Sequence, residues 1–66
     1  MRTALVIGTG LIGTSAALAL HARGVQVYLE DHDQAQALTA AALGAGIAEV
    51  PPEPVDLAIV AVPPAH

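Results

Sequence analysis

Three glycines at positions 8, 10 and 13 stand in the stretch VIGTGLIGTS, Val6 to Ser15, directly after a run of apolar residues. Further on, three acids, Glu30, Asp31 and Asp33, crowd into four positions. Glycines at these intervals let a chain turn sharply and bring its backbone N–H groups against a polyphosphate with no side chain in the way. A carboxylate about 20 residues later is placed to accept hydrogen bonds from a ribose. The same glycines also suit the core of a secretory signal or an ordinary tight turn. Spacing alone does not separate the three readings, so the flanking elements must.

TALVI, 3 to 7, is a short apolar run with β-branched residues and no polar alternation, the pattern of a strand buried on both faces of a parallel sheet. LIGTSAALALHA, 11 to 22, is rich in Ala and Leu and is followed by Arg23 and by Gly24 where a helix C-cap would sit. VQVYLE, 25 to 30, reads as a second strand ending in acids. Asp33 can cap a second helix, with Gln36 three residues later as capping-box partner, and AQALTAAAL carries that helix to Gly44 and Gly46. IAEV, 47 to 50, is a very short strand or a loop, and PPEP, 51 to 54, is a rigid connection. VDLAIVAV, 55 to 62, is the most strand-like segment, ended by Pro63 and Pro64.

The order predicts an α/β architecture, a partial Rossmann-type doubly wound fold. Its three parallel strands fall at 3–7, 25–30 and 57–62, the first in the middle, with two helices on one face. The other face is left bare. Residues 1–66 are therefore expected to be the N-terminal part of a dinucleotide-binding domain in a longer chain.

Composition narrows the function. With 55% hydrophobic residues, one Tyr and no Phe or Trp, the core must be built from Ala, Val, Leu and Ile. No Cys is present, so no disulfide or thiolate metal site is available, and a cytoplasmic protein is compatible with that. The net charge of −4, with Arg2 and Arg23 the only Lys or Arg residues, argues against nucleic acid as a partner. Thr3 to Leu20 is an uncharged stretch of 18 residues behind Arg2, and ALA at 17 to 19 imitates a cleavage site. Its glycines, its hydroxyl residues and its change of period argue against a signal or a membrane segment.

The strand before, the helix after and the acids beyond favour the phosphate loop. In that reading Gly8 permits the turn, Gly10 admits the pyrophosphate and Gly13 lets the helix pack close. The N–H groups around Leu11, Ile12 and Gly13, with Thr9 in the loop, point at the phosphates with the helix dipole behind them. Glu30 and Asp31 lie 17 and 18 residues after Gly13, and Asp31 is the preferred ribose carboxylate. A carboxylate there favours NAD over NADP, whose 2′-phosphate would meet negative charge. The residue that follows is His32, beside the adenosine, and not an arginine. Asp33 reads as a helix cap. Ser15 reads equally as a hydrogen-bonding group near the phosphates or as a small packing residue of the helix, His21 reads as a surface residue near the helix C-terminus, and His66 is terminal. No metal-ligand spacing and no nucleophile-base pair can be assembled, so no catalytic residue is assigned.

Taken together, VIGTGLIGTSAALAL, YLEDHDQAQALTAAALGAG and VDLAIVAVPP resemble the N-terminal part of the prephenate dehydrogenases, NAD-dependent enzymes of tyrosine biosynthesis. The likeness lies in GxGLIGxS with Ser15, in Asp31 ahead of a helix that ends in LGA, and in a strand ending AVPP. GLIGxS is its more specific part, and the rest is shared with dehydrogenases of the 6-phosphogluconate dehydrogenase type.

The resemblance implies oxidative decarboxylation: hydride passes from prephenate to NAD, carbon dioxide leaves, and 4-hydroxyphenylpyruvate results. Arogenate would be the variant substrate. On the family pattern Gly8, Gly10, Leu11, Ile12 and Gly13 match the phosphate loop, Asp31 the ribose contact, and Val62 with Pro63 the turn beside the inner ribose and nicotinamide. The family's catalytic histidine, substrate-binding arginine and helical dimerisation domain belong to later sequence. The resemblance thus implies a segment inactive by itself and a homodimeric intact enzyme. The competing readings are a non-catalytic nucleotide-binding sensor and, among enzymes, another short-substrate dehydrogenase or imine reductase.

Overall fold

The structure, a computed structural model, describes residues 1–62. Its elements run β1 (Thr3–Ile7), α1 (Leu11–Ala22), β2 (Gln26–Glu30), α2 (Gln34–Ala42) and β3 (Leu57–Val60). The three strands form one parallel sheet in the order β2-β1-β3. This is the expected α/β architecture with the first strand central. In register, Ala4 faces Val27 on one side and Leu57 on the other, and Val6 faces Leu29 and Ile59.

Strand alternation sends those six side chains to one face, and there the core forms. Ala4, Val6, Val27 and Leu29 are buried together with Ala17 of α1, Ala40 of α2 and Ala45, and Leu57 and Ile59 pack against them. Both helices therefore cover the same face, as the element order predicts. Their fully buried apolar side chains are alanines, Ala17, Ala37 and Ala40, which let the helices approach the sheet closely, and Leu20 packs beside them. Leu5, Ile7 and Tyr28 on the opposite face are only half-buried, and Val60 is 66% exposed. Among the described residues no helix covers that face.

The ends of the elements follow from local chemistry. Gly24, at φ +83, turns the chain out of α1. Asp33 caps α2, its side chain accepting from the Ala35 N–H at 3.1 Å. Ile47 forms a single parallel bridge to Tyr28, donating to the Val27 carbonyl at 2.9 Å and accepting from the Leu29 N–H at 2.7 Å. The sheet thus continues by one residue beyond β2 before the proline-rich connection.

Two boundaries differ from expectation. β2 begins at Gln26, with Val25 still in the turn. β3 is four residues long instead of running to 62, because β1 ends at Ile7 and offers no ladder partner beyond it. Among the described residues no helix is long and apolar enough to cross a membrane. The apolar stretch from 3 to 20 is instead divided between β1, a loop and α1.

Candidate dinucleotide site

At the C-terminal ends of the strands the three glycines have different neighbours. Gly8 leaves β1 at φ +92, a conformation side chains rarely adopt, and its N–H donates to the Glu30 carbonyl at 2.7 Å. A Cβ added there would lie 2.6 Å from the Ala61 carbonyl oxygen. A Cβ on Gly13, in the first turn of α1, would overlap the Gly8 carbonyl oxygen and touch the Ala61 Cβ at 3.4 Å. At Gly10, by contrast, an added Cβ would meet nothing within 4 Å. The fold itself thus requires glycine at 8 and 13. The bare backbone at 10 satisfies no internal contact and leaves open space.

Gly10 is also the N-cap of α1 and makes no side-chain cap bond. The first bond of the helical ladder runs from the Thr14 N–H to the Gly10 carbonyl at 2.9 Å, which leaves the N–H groups of Leu11, Ile12 and Gly13 without helical acceptors. Leu11 and Ile12 are strongly exposed. This end carries the positive pole of the helix dipole.

Opposite lies Asp31, on the turn between β2 and α2. Its Oδ2 accepts from the Thr9 N–H at 2.7 Å and from the Thr9 hydroxyl at 2.9 Å, and its Oδ1 accepts from the Asp33 N–H at 2.9 Å. His32 Nδ1 stands 3.5 Å from Oδ1. The Thr14 hydroxyl donates in turn to the Thr9 carbonyl at 2.8 Å. One chain of hydrogen bonds therefore runs from the first turn of α1 through the glycine loop to the end of β2 and the cap of α2.

The Thr9 N–H is the largest influence holding the Asp31 carboxyl below its ordinary value, followed by the Asp33 N–H. Burial pushes the other way, and the Thr9 hydroxyl and nearby His32 contribute lesser downward effects. The group is ionised at neutral pH.

The expected residues fall into place unevenly. A cleft of about 230 Å³ is lined by Gly8, Gly10, Asp31, His32, Ala61 and Val62. Sharing Gly10, Ala61 and Val62 with it, a shallow apolar trough of about 730 Å³ runs over Leu11, Ile12, Ile59 and Val60. Of the two carboxylates, Asp31 lines the cleft. Glu30 is exposed on β2, and strand alternation places it on the face away from the core. Thr9, expected among the loop residues that contact the cofactor, is 4% exposed and gives both its donors to Asp31. Pro63 lies outside the described residues.

Among the described residues no group of three or more His, Asp or Glu side chains is placed to hold a metal ion. Sequence reading missed Asp56, whose Oδ2 accepts from the N–H groups of Arg2 and Thr3 at 2.7 and 3.1 Å and so fastens β1 to the start of β3. An aspartate just ahead of an apolar strand was the available signal.

These parts suit a dinucleotide. Open backbone, free amides and an ionised carboxylate gather around one cleft, and an apolar trough shares part of its lining, which are the kinds of group that phosphates, a ribose and flat rings require.

Over all 66 residues the chain is 61% identical to a Streptomyces niveus protein named Probable prephenate dehydrogenase NovF. The resemblance to the prephenate dehydrogenase family holds from end to end. The chain spans about a fifth of that relative, 18% of its length. No family model matches the chain, and no solved structure matches it. The glycine loop and the acidic turn lie at one end of the sheet, and among the described residues no acid-base or nucleophilic group lines the trough.

Proposed function

We propose that these residues are the NAD-binding segment of a prephenate dehydrogenase, which converts prephenate to 4-hydroxyphenylpyruvate by oxidative decarboxylation. The observation that carries the reading is the cleft itself: Gly10, with space where a side chain would be, shares one cavity with the ionised Asp31. The likeness to NovF supplies the reaction class.

In this reading the Leu11, Ile12 and Gly13 amides bind the pyrophosphate, and the open backbone at Gly10 lets it approach. Asp31 accepts from the adenosine ribose, and its charge disfavours the 2′-phosphate of NADP. Val62, with Pro63 after it, borders the inner ribose. His32 and Glu30 flank the adenosine side. NAD, when bound, supplies the hydride acceptor. The residues described here bind and orient it and leave proton and carboxylate handling to other parts of the enzyme, which we take to be a homodimer.

The test is direct. The full-length protein is mixed with NAD and prephenate and the absorbance of reduced nicotinamide is followed, then again with arogenate and with NADP. Reduction with NAD and prephenate is expected. Absence of signal with both substrates would overturn the assignment.

A further inference from the structure

Asp31 is not simply an exposed acid waiting for a ribose. A carboxylate oxygen offers about two acceptor positions. Those of Oδ2 are both filled by Thr9, through its N–H at 2.7 Å and its hydroxyl at 2.9 Å. Oδ1 takes the Asp33 N–H at 2.9 Å and, with His32 Nδ1 3.5 Å away and not hydrogen-bonded to it, retains one position. Asp33 and His32, the neighbours of Oδ1, line the cleft, whereas Thr9 does not. Thr9 is itself fully engaged, because its carbonyl accepts from the Thr14 hydroxyl at 2.8 Å. It is also almost completely buried, at 4% exposure.

We propose that Thr9 is the positioning residue of this site. By giving both donors to Oδ2 it fixes the carboxylate rotamer, turns Oδ1 into the cleft, and thereby sets both the ribose contact and the discrimination against a 2′-phosphate. This rests on the dinucleotide reading above and adds a residue that acts through Asp31. It has a specific consequence. While the Thr9 clamp is closed, Asp31 has a single acceptor position for the ribose and takes one hydroxyl, not two.

Without the Thr9 hydroxyl, Oδ2 keeps only the backbone N–H, and the carboxylate gains freedom to rotate and loses part of the bonding that favours its charged form. Thr9→Val removes the hydroxyl at nearly constant volume, and Thr9→Ser restores it. The experiment uses the full-length protein and measures dissociation constants for NAD and NADP by calorimetry, with the Asp31 carboxyl followed by NMR titration.

Thr9→Val is expected to weaken NAD binding about tenfold, the scale of one hydrogen bond to a charged group. NADP binding changes less, so the preference for NAD falls. The Asp31 carboxyl titrates at higher pH, and Thr9→Ser behaves as the parent protein does. In the parent protein, removing one ribose hydroxyl of the adenosine half weakens binding, and removing the other leaves it within about twofold, as expected of one accepted bond.

Three results count against the clamp. The first is a Thr9→Val protein with unchanged NAD preference and unchanged Asp31 titration, while Asp31→Asn abolishes that preference. The second is equal loss from removing either hydroxyl. The third is failure of Thr9→Ser to restore binding. A parent protein that binds neither NAD nor NADP would instead remove the dinucleotide reading itself. Should Thr9→Val lose its fold, Thr9→Ala serves the same comparison without placing a methyl where the hydroxyl was.

Discussion

Replacing Gly13 by alanine should damage the fold, whereas the same change at Gly10 should damage binding and spare the fold. At position 13 the new methyl would overlap the Gly8 carbonyl oxygen and stand 3.0 Å from its carbon. Comfortable contacts between carbons are about 3.5–4.0 Å. The obstructing atoms are backbone, and Gly8 is anchored through its N–H to Glu30 at 2.7 Å, so the loop cannot simply swing aside. The start of α1 must withdraw. Overpacking of this kind costs about 1–3 kcal/mol, and the better helix propensity of alanine returns up to about 1 kcal/mol.

A net loss on the order of 1–2 kcal/mol is therefore expected for Gly13→Ala in urea unfolding of the full-length protein. Calorimetric titration should also show weaker NAD binding, since the withdrawing turn carries the Leu11 and Ile12 amides. At position 10, φ is −69, open to any residue, and no atom lies within 4 Å of the added Cβ. Gly10→Ala should shift stability by less than about 1 kcal/mol, yet lower NAD affinity about tenfold or more, because its methyl projects where the pyrophosphate approaches. A Gly13→Ala protein as stable as the parent would refute the packing argument. A Gly10→Ala protein with undiminished affinity would refute the assignment of the open space to a ligand.

Removing the α2 cap by Asp33→Ala should cost about 1 kcal/mol in the same unfolding assay, and no loss would mean that the Ala35 N–H finds water as good a partner. Asp31→Ala should weaken NAD binding far more than NADP binding, and equal losses would point to another carboxylate. In acid, Asp31 and Asp56 both titrate below their ordinary 3.8 in the folded chain, the latter chiefly through the Arg2 and Thr3 N–H groups. The unfolded chain then binds more protons in that window. Stability from these groups is complete about a unit above 3.8, near pH 5, and is lost as pH falls through that value and then through their lowered values. An Asp31→Asn, Asp56→Asn double variant should flatten that acid slope, and an unchanged slope would assign it to other carboxyls.

Much of the frame could be read in advance because its signals are local. TALVI and LIGTSAALALHA keep one period each and stop at glycines, so β1 and α1 fall where expected, and Asp33 announces α2 with a cap. The bare face follows from counting helices against strands. β3 came out shorter than its composition promised, since ladder length depends on the neighbour, and Ile7 ends the neighbour.

The choice between Glu30 and Asp31 rested on where β2 releases the chain, a matter of one residue that propensity does not resolve. Thr9 and Asp31 are 22 residues apart and Thr3 and Asp56 53 apart, each pair joined only when parallel strands bring their ends together. No periodicity records such contacts. Asp56 went unseen for that reason, and Thr9 read only as a loop residue and not as the partner of Asp31.

The Thr9 to Asp31 contact also bears on redesign. Converting such a site to accept NADP ordinarily means trading the acid for a small neutral residue and adding a positive charge alongside. Here that exchange would strand the Thr9 hydroxyl and amide, buried at 4% exposure, with no acceptor. Each stranded donor costs about 1–3 kcal/mol. Positions 9 and 31 are thus one unit of change: a cofactor swap that edits only the acid should yield a weakened protein, and one that also replaces Thr9 by a residue without a hydroxyl removes half of that defect at the outset.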